Sequence, residues 1–270
     1  MKKSAALRQV WEENFYREQE FIRQVVLRHN YVTVATRVIP LPTAPSPASS
    51  PAGATLPTSD ENYAFFRQRA NAMRLLQLGL TFSDEGGNLP KDPMTGERYT
   101  WEFNVKVAKS MDEIDAVFRQ HLTEKGMDVD YNMKNAIHPD VLCIGLWCMD
   151  TLMKERIRWV VFSGWAAFSP LLNIMRAEEQ LPERREAFLD LVKLYFPKFY
   201  EVRQLMSGCG LSGTLEETAN VLGAGVTDGE MFNQAGPDSL LTLLVFLGLR
   251  KRHFGRGIPE EQANLIMSIS

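Results

Sequence analysis

The sequence has few of the features that would assign a function by composition. It holds only 3 cysteines, Cys143, Cys148 and Cys209, with no CxxC spacing, and 4 scattered histidines. That excludes a disulfide framework and a zinc ribbon, and it favours free thiols in a reducing compartment. The charge excess is slight, 30 Lys+Arg against 33 Asp+Glu for a net −3, so no global field draws the chain to nucleic acid. No run approaches the ~18 apolar residues of a membrane span. The basic start, residues 1–15, turns charged before an apolar signal core can form. No phosphate-binding glycine loop, HExxH, GxSxG or kinase signature is present. The expectation is a soluble protein of the cytoplasm, with the nucleus also open to it.

What is present is an ordinary globular composition: 270 residues, 45% hydrophobic and 23% charged. The spacing of Leu7, Val10, Trp11, Phe15, Ile22 and Val26 predicts helix over residues 4–29. A β-branched strand follows at 31–34, then a composition break over 40–58, rich in Pro, Ala and Ser and free of charge. That segment is expected to be a flexible insertion, its Pro42 and Pro45 forming a PxxP. Further strands are predicted at 75–82, 99–107 and 159–162. Helices are predicted at 111–123, 139–153, 167–176, 183–195, 199–206, 214–222 and 235–254, with Thr214 and Glu217 spaced as a capping box. Strands first and helices after them imply a mixed sheet wrapped by helices, one α/β domain over 1–270.

Five segments carry a resemblance: LLQLGLTFSDEGGNLP (75–90), WEFNVKV (101–107), WVVFSGWAAFSPLL (159–172), LYFPKFYEVRQLM (194–206) and NQAGPDSLLT (233–242). In this order they resemble the DEDD-type Caf/Pop deadenylase subunit of the Ccr–Not complex. The resemblance runs from Val10 to about Phe254 and implies a ribonuclease-H-like fold.

It also implies cleavage of poly(A) by two divalent metals held on four carboxylates, and here the chain departs. Where the family carries Asp-Thr-Glu, this sequence has Ala35, Thr36 and Arg37. The second motif's Asp matches Ala167, and the histidine that orients water matches Asn233. Asp238 alone is retained. A unit charge 4 Å from another interacts by about 4 kcal/mol at an effective dielectric of 20, so Arg37 would repel a divalent ion by about twice that. The sequence therefore predicts loss of Mg/Mn binding, no cofactor, and an Arg37–Asp238 ion pair in place of the metals. Rescue of catalysis by Glu201, Asp84 or Glu85 is the rival.

The expectation is a pseudo-nuclease that serves mRNA turnover as an assembly or regulatory subunit. Its partners by resemblance are a Not-type scaffold or other deadenylase-complex subunits. Residues 137–159 match the family's scaffold-docking region, with Pro139, Leu146, Trp147 and Met149 as candidate contacts and Trp147 as anchor. The alternative is a non-cleaving grip on an RNA 3′ tail by Arg37, Arg67, Arg69, Trp165 and Arg203, should they share one groove. A metal-dependent poly(A) exoribonuclease with a rearranged site is the third reading.

Overall fold

The computed structural model describes residues 5–40, 60–92, 94–124, 126–149, 154–177, 179–224, 234–255 and 257–267, with side chains described from residue 63 in the segment that begins at 60. The strands are β1 (Ala6–Val10), β2 (Tyr31–Pro40), β3 (Met73–Ser83), β4 (Tyr99–Asn104), β5 (Arg158–Val161) and β6 (Phe199–Glu201). The helices are α1 (Phe15–Val26), α2 (Asp60–Asn71), α3 (Ala116–Glu124), α4 (Val129–Asn135), α5 (Pro139–Cys148), α6 (Gly164–Met175), α7 (Arg185–Tyr195), α8 (Val202–Gly208), α9 (Leu215–Leu222) and α10 (Ala235–His253).

The strands form one mixed sheet in the order β1-β4-β3-β2-β5-β6. β2 and β3 pair antiparallel, while β5 lies parallel to β2 and β6 parallel to β5. The period-2 alternation of a strand assigns its two faces. On β3, Leu78, Leu80 and Phe82 point into the core shared with α1, α5, α6 and α7. Gly79 and Thr81 face the other way, toward α10, where Thr81 Oγ1 lies 2.7 Å from Ser239 Oγ. α10 is apolar almost all round because it is enclosed, with the sheet on one side and α8 and α9 on the other. Its first turn comes so close to the sheet that a Cβ on Gly79 would lie 1.8 Å from the Ala235 carbonyl oxygen.

Several sequence expectations are corrected. Residues 6–10 are a strand, not the start of a helix, because pairing with β4 outweighs the helical spacing of Leu7, Val10 and Trp11. Residues 199–201 are likewise a strand, completing the sheet beside β5 before α8 begins. β2 runs on to Pro40, so the boundary drawn at residue 40 is moved. The rest of the expected insertion, residues 41–58, lies outside the described residues, as does Asn233. The helix expected over 139–153 ends at Cys148. The capping box is present: Thr214 N–H donates to Glu217 Oε2 at 2.8 Å and Glu217 N–H to Thr214 Oγ1 at 3.2 Å.

Candidate functional site: a cleft bridged by an ion pair

Alternation along β2 puts Tyr31, Thr33, Ala35 and Arg37 on the face that α10 covers. The register of β2 against β3 shifts immediately after Arg37, a bulge that bends the strand at the mouth of a cleft of ≈ 580 Å³. Ala35, Arg37, Ala167, Arg203, Glu216 and Asp238 all line that cleft. Four positions that sequence reasoning singled out from three distant segments are thus brought together: Ala35, Arg37, Ala167 and Asp238.

Arg37 Nη2 donates to Asp238 Oδ2 at 2.6 Å, joining β2 to the first turn of α10. Both side chains are partly buried, 34% and 19% exposed, so the pair is shielded without being dry. Burial raises the Asp238 carboxyl above the ordinary aspartate range, Arg37 works against that rise, and Glu216 and Glu102 add to it. Glu102 is itself fully buried. Its Oε1 accepts from Gln9 and Gln77, each at 3.0 Å, and its Oε2 accepts from the Gly236 N–H at 2.9 Å. It therefore works as an anchor for the first turn of α10, a role that no motif or spacing marks.

The second wall of the cleft is α6. Pro170 inside that helix has no N–H, which leaves the Ala166 carbonyl without its intrahelical donor. The Thr36 hydroxyl donates to that carbonyl at 3.2 Å and ties β2 to α6.

A divalent metal needs several hard oxygen ligands at one point. Among the described residues no group of three or more His, Cys, Asp or Glu is arranged to hold one. The donor set of the cleft does not fit two metals: Ala35 and Ala167 offer methyl groups, Asp238 is engaged by a guanidinium and Glu217 is held in the capping box, which leaves Glu216 as the one other carboxylate among the described lining residues. The acids considered for rescue are placed elsewhere. Glu201 is 1% exposed and spends its Oε1 on the Gly164 N–H at 2.6 Å. Asp84 closes a turn on Asn88, accepting from its N–H at 2.7 Å and its side-chain amide at 2.8 Å. Glu85 is exposed in the same turn.

The five-residue RNA groove does not assemble. Only Arg37 and Arg203 line the cleft. Trp165 is 3% exposed and stacks on Phe188 with centroids 5.0 Å apart, because the first turn of α6 aims it into the aromatic core. Arg67 is turned away to the Leu181 carbonyl, 2.7 Å from its Nε, and Arg69 lies over the Phe65 ring at 5.7 Å.

The docking candidates divide by helical phase. Leu142, Leu146 and Met149 recur at i, i+4 and i+7, so they face inward and are buried, as is Pro139 at the helix start. Leu146 and Met149 are core residues, not contacts. The same phase turns Ile144 and Trp147 outward, 61% and 46% exposed, and Leu194 of α7 is 69% exposed. Trp147 is held ready by its Nε1–H, which donates to the Met175 carbonyl at 2.9 Å, and by an edge contact with Tyr195 at 5.4 Å. Ile144 and Leu194 were missed because exposure depends on which neighbour covers each face.

No helix among the described residues is long and apolar enough to cross a membrane. No family model matches the chain. The chain is similar to the probable CCR4-associated factor 1 homolog 10 of Arabidopsis thaliana, 32% identical over 255 residues that cover 93% of this chain and 88% of that protein. It is 27% identical over 264 residues to the poly(A) ribonuclease pop2 of Schizosaccharomyces pombe, covering 97% of this chain and 75% of that protein. Among solved structures, S. pombe Pop2p in its Mg2+- and Mn2+-bound form matches with a TM-score of 0.78 at 27% identity, over 97% of this chain and 99% of that one. The CAF1-type neighbour from the yeast NOT1 MIF4G domain co-crystallised with CAF1 matches at 0.76 and 22% identity, over 97% and 96%, and bears on the fold alone. The mixed sheet is thus a ribonuclease-H-like exonuclease fold. Identity of 32% over most of both sequences settles the assignment: the chain belongs to the CCR4-associated factor 1 family.

Proposed function

We propose that this family member is a pseudo-nuclease, an assembly or regulatory subunit in mRNA turnover that docks onto a Not-type scaffold in the cytoplasm. The observation that carries the reading is the Arg37–Asp238 pair. A guanidinium 2.6 Å from the retained carboxylate fills with protein charge the place where the resemblance implies metal charge. A divalent ion would have to displace it against Coulomb repulsion and then find further ligands where Ala35 and Ala167 stand.

The docking half of the reading is supported by the exposed side chains of Ile144 and Trp147, a large indole and an aliphatic side chain three residues apart on one face of α5. It is supported also by the neighbour of like fold, yeast CAF1, which was crystallised with the NOT1 MIF4G domain.

The test is RNA shortening by the purified chain on an oligo(A)-tailed substrate in magnesium or manganese, with Mn2+ titration calorimetry beside it. Neither shortening nor saturable Mn2+ binding is expected. Shortening that is abolished by Asp238→Ala would overturn the reading in favour of an active exoribonuclease.

A non-cleaving grip on an RNA tail is the second reading, and Arg203 favours it: its half-buried side chain lines the same cleft as Arg37, a second guanidinium on one lining. Filter binding of oligo(A) across a salt series tests it. Retention no greater than that of an albumin control at low salt ends it.

A further inference from the structure

After α10 the chain returns along the edge of the sheet as residues 257–267, and none of these residues is buried. Ile258, Ala263 and Ile266 pack against the core only partly buried, so polar contacts carry much of the hold, and a segment with no fully buried residue opens at lower free-energy cost than the core. Here the contacts converge on β6. Asn264 N–H donates to the Phe199 carbonyl at 2.8 Å, its Oδ1 accepts from Phe199 N–H at 2.9 Å, and its Nδ2 donates to the Pro197 carbonyl at 2.9 Å. Asn264 makes these bonds at φ 61°, a left-handed conformation asparagine tolerates better than most residues.

The next residue pair along β6 is the notable one. Glu201 is 1% exposed, and its two carboxylate oxygens accept from two different segments: Oε1 from Gly164 N–H at the start of α6, 2.6 Å away, and Oε2 from Met267 N–H at the end of the returning segment. Trp165 Nε1–H adds a bond to the Met267 carbonyl at 3.3 Å, and Ile266 packs where a Cβ on Gly164 would stand, 3.0 Å away. One buried carboxylate therefore joins the C-terminal segment to the helix turn that leads into Ala166 and Ala167 of the cleft.

We propose that residues 258–267 form a detachable strap, latched by Glu201 to the first turn of α6, so that releasing the strap loosens the wall of the cleft. The chemistry of the latch requires an acceptor with two free oxygens. Glutamine keeps the shape and offers one oxygen and one NH2, which would face an N–H donor with another donor.

Hydrogen exchange followed by mass spectrometry on the full chain tests this with two variants. Glu201→Gln is expected to speed exchange about tenfold at residues 263–267 and at 164–167 together, with β2 and α10 unchanged. Asn264→Gly keeps the left-handed backbone and touches neither Glu201 nor α6. It should speed exchange in the strap and, through the latch, at 164–167. The proposal is overturned if Asn264→Gly frees the strap while 164–167 stay as protected as in the parent. It is overturned equally if Glu201→Gln speeds β2 and α10 to the same degree, or if neither variant alters the strap.

Discussion

The Thr36 hydroxyl donates to the Ala166 carbonyl at 3.2 Å, across the gap between β2 and α6. It finds that acceptor free because Pro170, four residues on, supplies no N–H. The two walls of the cleft are stapled by a bond that a regular helix would not offer. Thr36→Val should cost about 0.5–1 kcal/mol, the net worth of an exposed hydrogen bond whose freed carbonyl water can take up. In a Pro170→Ala background the helix satisfies its own carbonyl, and the same change should cost close to nothing. Urea denaturation of the four proteins in this cycle reads the coupling directly, and equal costs in both backgrounds would remove the staple.

The Arg37–Asp238 pair should respond unequally to loss of its two halves. Arg37→Ala leaves a carboxylate that burial already disfavours, at a cost of about 1–2 kcal/mol; a fully buried pair would lose more, and partial exposure screens this one. Asp238→Asn leaves a guanidinium that can turn to water and should cost less. The deficit of Arg37→Ala is also pH-dependent. Without Arg37 the Asp238 carboxyl rises further above its unfolded value, so the deficit is present at neutral pH and shrinks as acidification protonates the group. A deficit that grows between pH 7 and pH 5 would contradict this.

Refilling the carboxylates should reverse the electrostatics of the cleft. Ala35→Asp, Arg37→Glu and Ala167→Asp together with the native Asp238 gather four acids on one lining. The triple variant should be less stable than the parent without metal, through like-charge repulsion, and should recover thermal stability when Mn2+ is added. A melting temperature indifferent to Mn2+ would show that the backbone no longer holds the liganding geometry.

On the docking surface, Ile144→Asp and Trp147→Ala separate binding from folding. Ile144 is 61% exposed, so a charge there should leave stability within ~0.5 kcal/mol while abolishing capture by a Not-type MIF4G domain. Trp147→Ala also forfeits the Met175 hydrogen bond and the Tyr195 contact, about 1–2 kcal/mol, besides the capture. Pull-down at equal concentrations of folded protein checks both, and undiminished capture by either variant would move the docking site elsewhere.

Acid sensitivity should centre on Glu18. Burial works to raise its carboxyl, but hydrogen bonds from Arg8 and Trp101 outweigh burial and hold it below the ordinary range. The Arg8 grip is two-pronged, 2.7 Å to each oxygen, with Trp101 Nε1 at 3.1 Å. With the folded value below the unfolded one, the stabilisation is complete above the glutamate reference of 4.5 and is lost as pH falls through the folded value. Glu18→Gln should therefore lose about 2–3 kcal/mol at pH 7 and progressively less as pH falls below 4.5 toward the folded value, measured by chemical denaturation across an acid series. A constant difference across that range would assign the effect to packing.

The strands that sequence alone yields are the four central ones, because β2, β3, β4 and β5 are each covered on both faces and carry dense apolar runs. The two it misses are the edges. β1 contains Arg8 and Gln9 and is a strand only because β4 lies beside it, and the three residues of β6 are too few for a period to show. In the cleft, Ala35, Arg37 and Ala167 were legible because, by the resemblance, their identities depart from a family pattern at fixed places, and Asp238 because it keeps that pattern. Trp165 was misplaced because a tryptophan beside a cleft and a tryptophan beneath its wall have the same local sequence. Only the stacking on Phe188, 23 residues away in sequence, distinguishes them. Glu201 and Glu102 escaped as anchors because their partners are backbone N–H groups, which every residue but proline carries.

The first turn of α10 rests against β3 with Gly79 beneath the Ala235 carbonyl, at a spacing where any side chain on Gly79 would collide with main chain. At this point the gap between helix and sheet is gauged by peptide groups. A site whose walls are spaced in this way behaves as a mould: the proposed pseudo-nuclease would differ from its relatives in the side chains on the lining, while the mould keeps its shape.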